Sequence, residues 1–284
     1  MKTNAIVRII LFSLAIVVLS GMLLAGIGFN LYQFDISSSE EMEESMLLTA
    51  GGLPAMNIRN LEIDWVAGNI QLIPGETNGQ IQFSESGATD PDDQLVYSLE
   101  GNTLSIQFSK EKHHVIGFGI NKDISKDLTI TVPQDWICSK LDIETASANL
   151  TVQNLTVEEV EFDGASGLCV FDDCAVTEMD IETASGDIRY NGILTRLQIK
   201  AASANCEINA ENIPEKIDLN SMSGDLELTL PADCGFTVEM DAMSSDFSSD
   251  FPTTTQNNCH VHGDGRCYIR VDAMSGDVKI NKGA

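Results

Sequence analysis

From Leu61 onward, apolar residues recur at every second position in short runs, and the runs come in pairs hinged on a small polar segment. The segments LDIETASANLTV, VEFDGASGLCVF, MDIETASGDIRY, LQIKAASANCEI, IDLNSMSGDLEL, VEMDAMSSDFSS and IRVDAMSGDVKI align on Ser147, Ser166, Ser185, Ser203, Ser223, Ser244 and Ser275, at steps of 19, 19, 18, 20, 21 and 31 residues. Positions six and four residues before each serine are apolar in every copy, from Leu141 and Ile143 to Ile269 and Val271. Three residues after it stand Leu150, Cys169, Ile188, Cys206, Leu226, Phe247 and Val278. Alternation of period two on both sides of the serine predicts two short strands, each with one buried face. An earlier copy, LEIDWVAGNIQL, fits the same template with Ala67 at the serine position.

Between the two strands the residue after the serine is Ala, Gly or Ser, and the next is Asn or Asp in all copies but one, where Leu168 stands. Such residues suit a sharp corner, because they tolerate left-handed backbone or bond to their own main chain. A sandwich of antiparallel sheets has no reason to keep this corner at one offset, whereas stacked coils place equivalent residues about 4.8 Å apart. The fold class predicted is therefore all-β: a parallel β-solenoid, β-helix-like or β-roll-like, of about 19-residue repeats, preceded by one transmembrane α-helix. Between about Ser84 and Val132 the pattern is interrupted by an acidic loop, two strand-like runs and an irregular stretch, which reads as an N-terminal cap or a side insertion. The last repeat ends almost at the C-terminus without an obvious cap, so it leaves an edge guarded by Lys279 and Lys282 and open to end-to-end self-association.

The helix is expected at residues 9–34, which carry no charge and exceed the roughly 20 apolar residues a span requires. Lys2 and Arg8 precede the run and Asp35, Glu40, Glu41, Glu43 and Glu44 follow it, so the positive-inside rule puts the N-terminus in the cytoplasm. The run is too long for a signal-peptide core of about 7 to 15 residues and has no A-x-A-like site near its end, so it reads as a retained signal anchor. The expected organisation is a cytoplasmic N-terminus at 1–8, a transmembrane anchor at 9–34, an acidic juxtamembrane spacer at 35–55 and an extracytoplasmic repeat domain at 56–284.

The SGDI, SGDL and SGDV units at Ser185, Ser223 and Ser275, with the strand-to-proline runs ending at Pro133 and Pro231, resemble a bacterial domain-of-unknown-function family labelled putative adhesin. The resemblance covers roughly residues 56 to 282. It implies a solenoid or roll displayed at the cell envelope, with no established activity. Ala148-Asn149 and Ala204-Asn205 depart from the family's Gly-Asp pattern.

Charge narrows the partners. All 43 acidic residues lie at or after Asp35, against 16 basic residues in the whole chain, a net charge of -27. Such a domain repels nucleic acid and anionic lipid, and its surface reads either as a solvated face that keeps the domain soluble or as one that attracts cations or cationic polymers. The expected partners are the membrane, through the helix, and an envelope protein or polysaccharide.

Candidate chemistry is sparse. Seven corner serines cannot be served as nucleophiles by four histidines, so Ser147, Ser166, Ser185, Ser203, Ser223, Ser244 and Ser275 read as structural corners. Asp225, Asp246 and Asp277 form the best consecutive set for calcium, which takes 6 to 8 oxygen ligands, but the nonapeptide calcium repeat is absent. No other cofactor is indicated. Cys259 and Cys267 flank His260, His262 and the turn Gly263-Asp264-Gly265 inside the 31-residue step; a hairpin there would oppose the two cysteines and favour a disulfide over zinc held by Cys259, His260, His262 and Cys267. Cys169 and Cys206, two coils apart, read as buried thiols, with Cys138 and Cys234 similar. The run VIGFGI at 115–120, after Lys110, Lys112, His113 and His114, is an apolar tip for a partner or is packed on the first coil. The function expected is a non-enzymatic binding, adhesion or envelope-sensing module; the alternative is a metal-dependent protein or enzyme centred on the 251–268 insertion.

Overall fold

A computed structural model describes residues 50–88, 93–109, 125–256 and 259–283. The expected anchor at 9–34, most of the spacer and the tip at 115–120 with Lys110, Lys112, His113 and His114 lie outside these residues. Among the described residues no helix is long and apolar enough to cross a membrane.

The described chain is all-β and solenoid-like. Its strands begin with β1 (Ala50–Pro54), β2 (Asn60–Gly75), β3 (Gln80–Ser86), β4 (Val96–Glu100), β5 (Thr103–Gln107) and β6 (Lys126–Pro133). The middle holds β7 (Ile137–Gln153), β8 (Thr156–Gly164), β9 (Cys169–Ser185), β10 (Ile188–Ser203) and β11 (Cys206–Ala210). The C-terminal part holds β12 (Lys216–Ser223), β13 (Leu226–Leu230), β14 (Phe236–Ser244), β15 (Phe247–Ser249), β16 (Thr254–Gln256), β17 (Cys259–His262), β18 (Cys267–Ser275) and β19 (Val278–Lys282).

The strands stack in two parallel walls joined at the serine corner. Before the corner the wall runs β5, β2, β7, β8, β9, β10, β12, β18, β14. After it the wall runs β6, β2, β7, β9, β10, β11, β13, β19, β15. Equivalent residues pair directly, as in Ala67 with Ser147, Ser185 with Ser203, and Ser244 with Ser275. The apolar columns fill the space between the walls: Leu141, Val160, Met179, Leu197, Ile217, Val238 and Ile269 are all buried. Phe247 is half-buried and Ser249 half-exposed at the terminal layer, where the column runs out.

The order of layers differs from the order of sequence at both ends. The β2 layer is second in the stack, because the chain returns beneath it to lay down β5 and β6 before skipping ahead to β7. The stretch expected as a cap or insertion is thus the end layer itself. At the other end β14 and β15 form the terminal layer, and β18 and β19 enter the gap left between them and the β12–β13 layer. This corrects the expected exposed edge at the last repeat: that repeat is internal, and Lys279 pairs with Glu227 at 2.8 Å and guards no rim. The ends are instead closed by antiparallel additions, with β4 on β5, β3 and then β1 on β6, and β17 and then β16 on β14. Very short edge strands such as β15 and β16 limit edge-to-edge pairing.

The corner also explains its own residue types. Gly224 has φ +123°, and a Cβ there would be driven into the carbonyl oxygen of Ala204 in the adjacent layer. Gly224→Ala should therefore cost more than about 2 kcal/mol, combining left-handed strain with a backbone clash. Gly101→Ala, at φ +61° with nothing within 4 Å of the added carbon, should cost only about 1 kcal/mol. Urea unfolding of the two variants measures the difference.

Candidate functional site

Three features of the outer surface carry side chains that could do chemistry: the corner, the wall before it, and the segment that closes the C-terminal end.

At the corner, the Asn/Asp column is a hydrogen-bonded ladder. The Asp127 carboxylate accepts the Asn69 N–H at 3.1 Å, and Asn149 donates its side-chain amide to the Asn69 Oδ1 at 3.1 Å. Further on, Asn205 Oδ1 accepts the Asp225 N–H at 3.3 Å, Asp225 Oδ1 the Asp277 N–H at 2.8 Å, and Asp277 Oδ1 the Asp246 N–H at 3.0 Å. The candidate calcium set is therefore consecutive in space as Asp225, Asp277, Asp246, and the bonded oxygens are engaged by main-chain donors, which stabilise a carboxylate strongly. Of the corner serines, Ser147, Ser185, Ser203, Ser244 and Ser275 are exposed, and Ser166 and Ser223 are half-buried. The turn is fastened from inside, where Thr183 and Ser221 donate their hydroxyls to the carbonyls of Ser185 and Ser223 at 3.0 and 2.7 Å.

The outer face of the wall before the corner is ruled by carboxylates. Register places Glu144, Asp163 and Glu182 in one column and Glu62, Asp142, Glu161 and Asp180 in the next. Lysines bridge them: Lys140 lies 2.6 Å from Glu161, 3.6 Å from Glu159 and 3.7 Å from Asp142, and Lys200 pairs with Glu182. Although Asp163 as a residue is exposed, desolvation among its packed neighbours pushes its carboxyl up to about 6, and the charges of Glu182, Glu144, Asp142 and Asp180 push the same way. Asp142, Asp180 and Asp272 are also raised, each by burial first. A raised carboxyl binds a proton in the folded chain where the unfolded chain has lost it. Its stabilising effect is therefore full below the ordinary aspartate pKa and is lost as pH rises through about 6. Asp163→Asn should raise Tm at pH 7.5 and leave it nearly unchanged at pH 4, which a melting series across that range tests.

The 251–268 segment forms an end closure. Its β17 lies on one side of β14 and β18 on the other, so the hairpin expected to oppose the two cysteines is not formed. Cys259 stands opposite Glu239 and Cys267 opposite Phe236, and both are free thiols. His260 stacks on Phe247 with ring centroids 4.0 Å apart, its Nδ1 3.1 Å from Thr255 Oγ1. His262 packs against Phe251 and Phe236, its Nδ1 2.7 Å from the Pro252 carbonyl oxygen. His260 and His262 thus pack on different aromatic rings, and Cys259 and Cys267 stand on strands either side of β14. Among the described residues no group of three or more His, Cys, Asp or Glu side chains is placed to hold a metal ion. Burial pushes the Cys138, Cys206 and Cys267 thiols up to about 12 and Cys169 higher, which makes them inert apolar side chains at neutral pH. A shallow groove of about 510 Å³ beside β1 and β3 is lined by Gly51, Gly52, Gln82, Ser84, Thr129 and Thr131 among others, with no ionisable side chain.

Compared with known families, residues 58–167 and 138–281 match Toastrack DUF4097. The chain belongs to the Toastrack DUF4097 family. No curated protein matches it. Its Toastrack domain is similar to a putative adhesin from Bacteroides fragilis, at 14% identity and TM-score 0.45 over 82% of this chain and 95% of that one. It is likewise similar to a putative cell adhesion protein from Clostridium sporogenes, at 11% identity and TM-score 0.38 over 82% and 98%. A putative lipid binding protein from Parabacteroides distasonis stands at 14% and 0.38 over 83% and 96%.

Two features of this Toastrack domain escaped the sequence reading. One is a second corner, opposite the serines, where Asn154, Asp173 and Gly192 adopt positive φ at intervals of 19 residues. The regular spacing was the available signal. The other is Lys126, wholly buried, whose ammonium donates to Glu85 Oε2 and the Asp93 carbonyl oxygen at 2.6 Å each and to the Phe108 carbonyl oxygen. It also lies 4.0 Å from the centroid of the Phe108 ring and 4.9 Å from that of Trp65.

Proposed function

We propose that this chain is a cell-envelope protein whose 9–34 segment anchors the Toastrack domain outside the membrane, where it serves as a binding or adhesion module without catalytic activity. The observation that carries the reading is the outer wall before the corner, a rigid array of carboxylates repeated at the layer spacing and braced by lysines. An array of this kind matches a repetitive, cation-bearing partner, an envelope polysaccharide with amino groups or a basic envelope protein, through many weak contacts in register. Any end-to-end association of such domains would run through the short edge strands β15 and β16, and not through β19, which β15 covers.

The test uses the full chain in nanodiscs. Retention on immobilised envelope polysaccharide should fall at least tenfold in a Glu161→Gln, Glu182→Gln variant with unchanged Tm. Equal retention of variant and parent, or cleavage of the polysaccharide by the parent, would overturn the proposal. Protease added to intact cells should remove the domain and spare a tag at the N-terminus.

A further inference from the structure

One column at the corner changes character along the stack. The residue just before each corner serine is Ala146, Ala165, Ala184 and Ala202 in four successive layers, and Val66 in the layer before them. In the last three layers it is Met222, Met274 and Met243. Ser221 pairs with Ala273, and Ala273 with Ala242, so the next residues, the three methionines, fall side by side with Met274 in the middle. The layer order makes the set contiguous, because β18 lies between β12 and β14.

The methionines are not core residues. Their neighbours Ser221 and Ala273 point inward and are 7% and 2% exposed, and strand alternation turns the methionines to the outer face. Met243 is 65% exposed, and Met222 and Met274 are half-buried. Since alanine satisfies the same position in four other layers, the corner does not need the longer side chain. What methionine adds is a thioether on three rotatable bonds.

We propose that Met222, Met274 and Met243 form a three-thioether site for a soft monovalent cation, Cu(I) or Ag(I). Thioethers favour Cu(I) over hard divalent cations, which take oxygen ligands. Adjacent layers lie about 4.8 Å apart, so Met274 has a methionine on either side of it. The outer two, Met222 and Met243, are two layers or about 9.6 Å apart at the backbone, and they must lean toward Met274 on their three rotatable bonds to bring all sulfurs to the roughly 4 Å that trigonal coordination demands at metal–sulfur bonds of about 2.3 Å. Two residues earlier on the same face stand Asn220, Asp272 and Asp241, paired in register. Asp272 is bound by Arg270 at 3.0 Å, which leaves Asp241 as the charge that draws a cation toward this face.

The test is made on the full chain under anaerobic conditions in a Cys259→Ser background, since Cys259 is the one cysteine that is not buried. With methionine methyls labelled with carbon-13, one equivalent of Ag(I) should shift three of the ten resonances, those lost in Met222→Leu, Met243→Leu and Met274→Leu. In competition with a coloured Cu(I) chelator, Met274→Leu should weaken Cu(I) binding at least tenfold. Met56→Leu, 81% exposed in the loop between β1 and β2, should leave it unchanged. Absence of methyl shifts at one equivalent, shifts confined to Met243, or equal affinity in a triple-leucine variant of unchanged Tm would each overturn the site.

Discussion

A chain ending after Asp264 should fail to fold as a cooperative unit, although it lacks only the last repeat. In a solenoid laid down in simple order, such a truncation removes an end layer and leaves the remainder paired. Here the missing strands β18 and β19 lie between β12 and β14 and between β13 and β15, so their loss strips four strands of a neighbour. Ile269, Val271, Val278 and Ile280 leave a buried stack, and Phe236 and Val238 in the detached layer lose the side they packed against. Full burial of each such side chain is worth about 1.5–3 kcal/mol, so the loss is of the same order as the roughly 5–15 kcal/mol by which a whole domain is stable. Hydrogen exchange should show protection lost across Phe236–Ser244 and weakened through Lys216–Leu230, together with association in solution. A truncated chain that retained its protection at Phe236–Ser244 would contradict the layer order described above.

The second large effect is expected at Lys126. Its ammonium and the Glu85 carboxylate are both fully buried and 2.6 Å apart. Burial lowers the lysine pKa more than Glu85 raises it, so the ion is held at a cost met by Glu85, two carbonyl oxygens and two aromatic faces. Lys126→Ala leaves Glu85 charged and uncompensated, and should destabilise the domain by about 3–5 kcal/mol. Lys126→Met with Glu85→Gln removes both charges and keeps the volume, and should recover most of that loss. Chemical denaturation of the single and paired variants separates the buried charge from the packing. If the paired variant is no better than the single one, the ion pair itself is not the source of the effect.

These two features also mark where the sequence stopped being informative. The inward columns were legible because period-two alternation survives in every copy, and the corner because Gly, Asn and Asp answer a backbone requirement that recurs at one offset. The order of layers was not legible. Every repeat presents the same register to its neighbours, so Ser275 can sit as well beside Ser223 as beside Ser244, and only the 31-residue step hinted that the chain does something other than advance. The same ambiguity misled the reading of Cys259 and Cys267: a Gly-Asp-Gly turn between two strands resembles a hairpin unless it is known that β14 already occupies the place between them. Lys126 was hidden for a different reason. It stands in phase with the inward Leu128, Ile130 and Val132, but a lysine between Asp123 and Asp127 at the start of a strand reads as a solvent-facing charge, and what buries it comes from Glu85 in β3, from Phe108 just after β5 and from Asp93, none of them near it in sequence.

The interleaved ends have a consequence for how such a gene can change. β2 lies one layer from one limit and β18–β19 one layer from the other, and antiparallel strands are added at each limit. The layers from β8 to β11 are free of these arrangements, and their repeats advance by 18 to 20 residues with each layer resting on the one before. In-frame duplication or loss of one such unit there lengthens or shortens the stack while both closures stay intact. The same event near either terminus would break an interleaved pair, so variation in length among descendants of this gene should be confined to its middle.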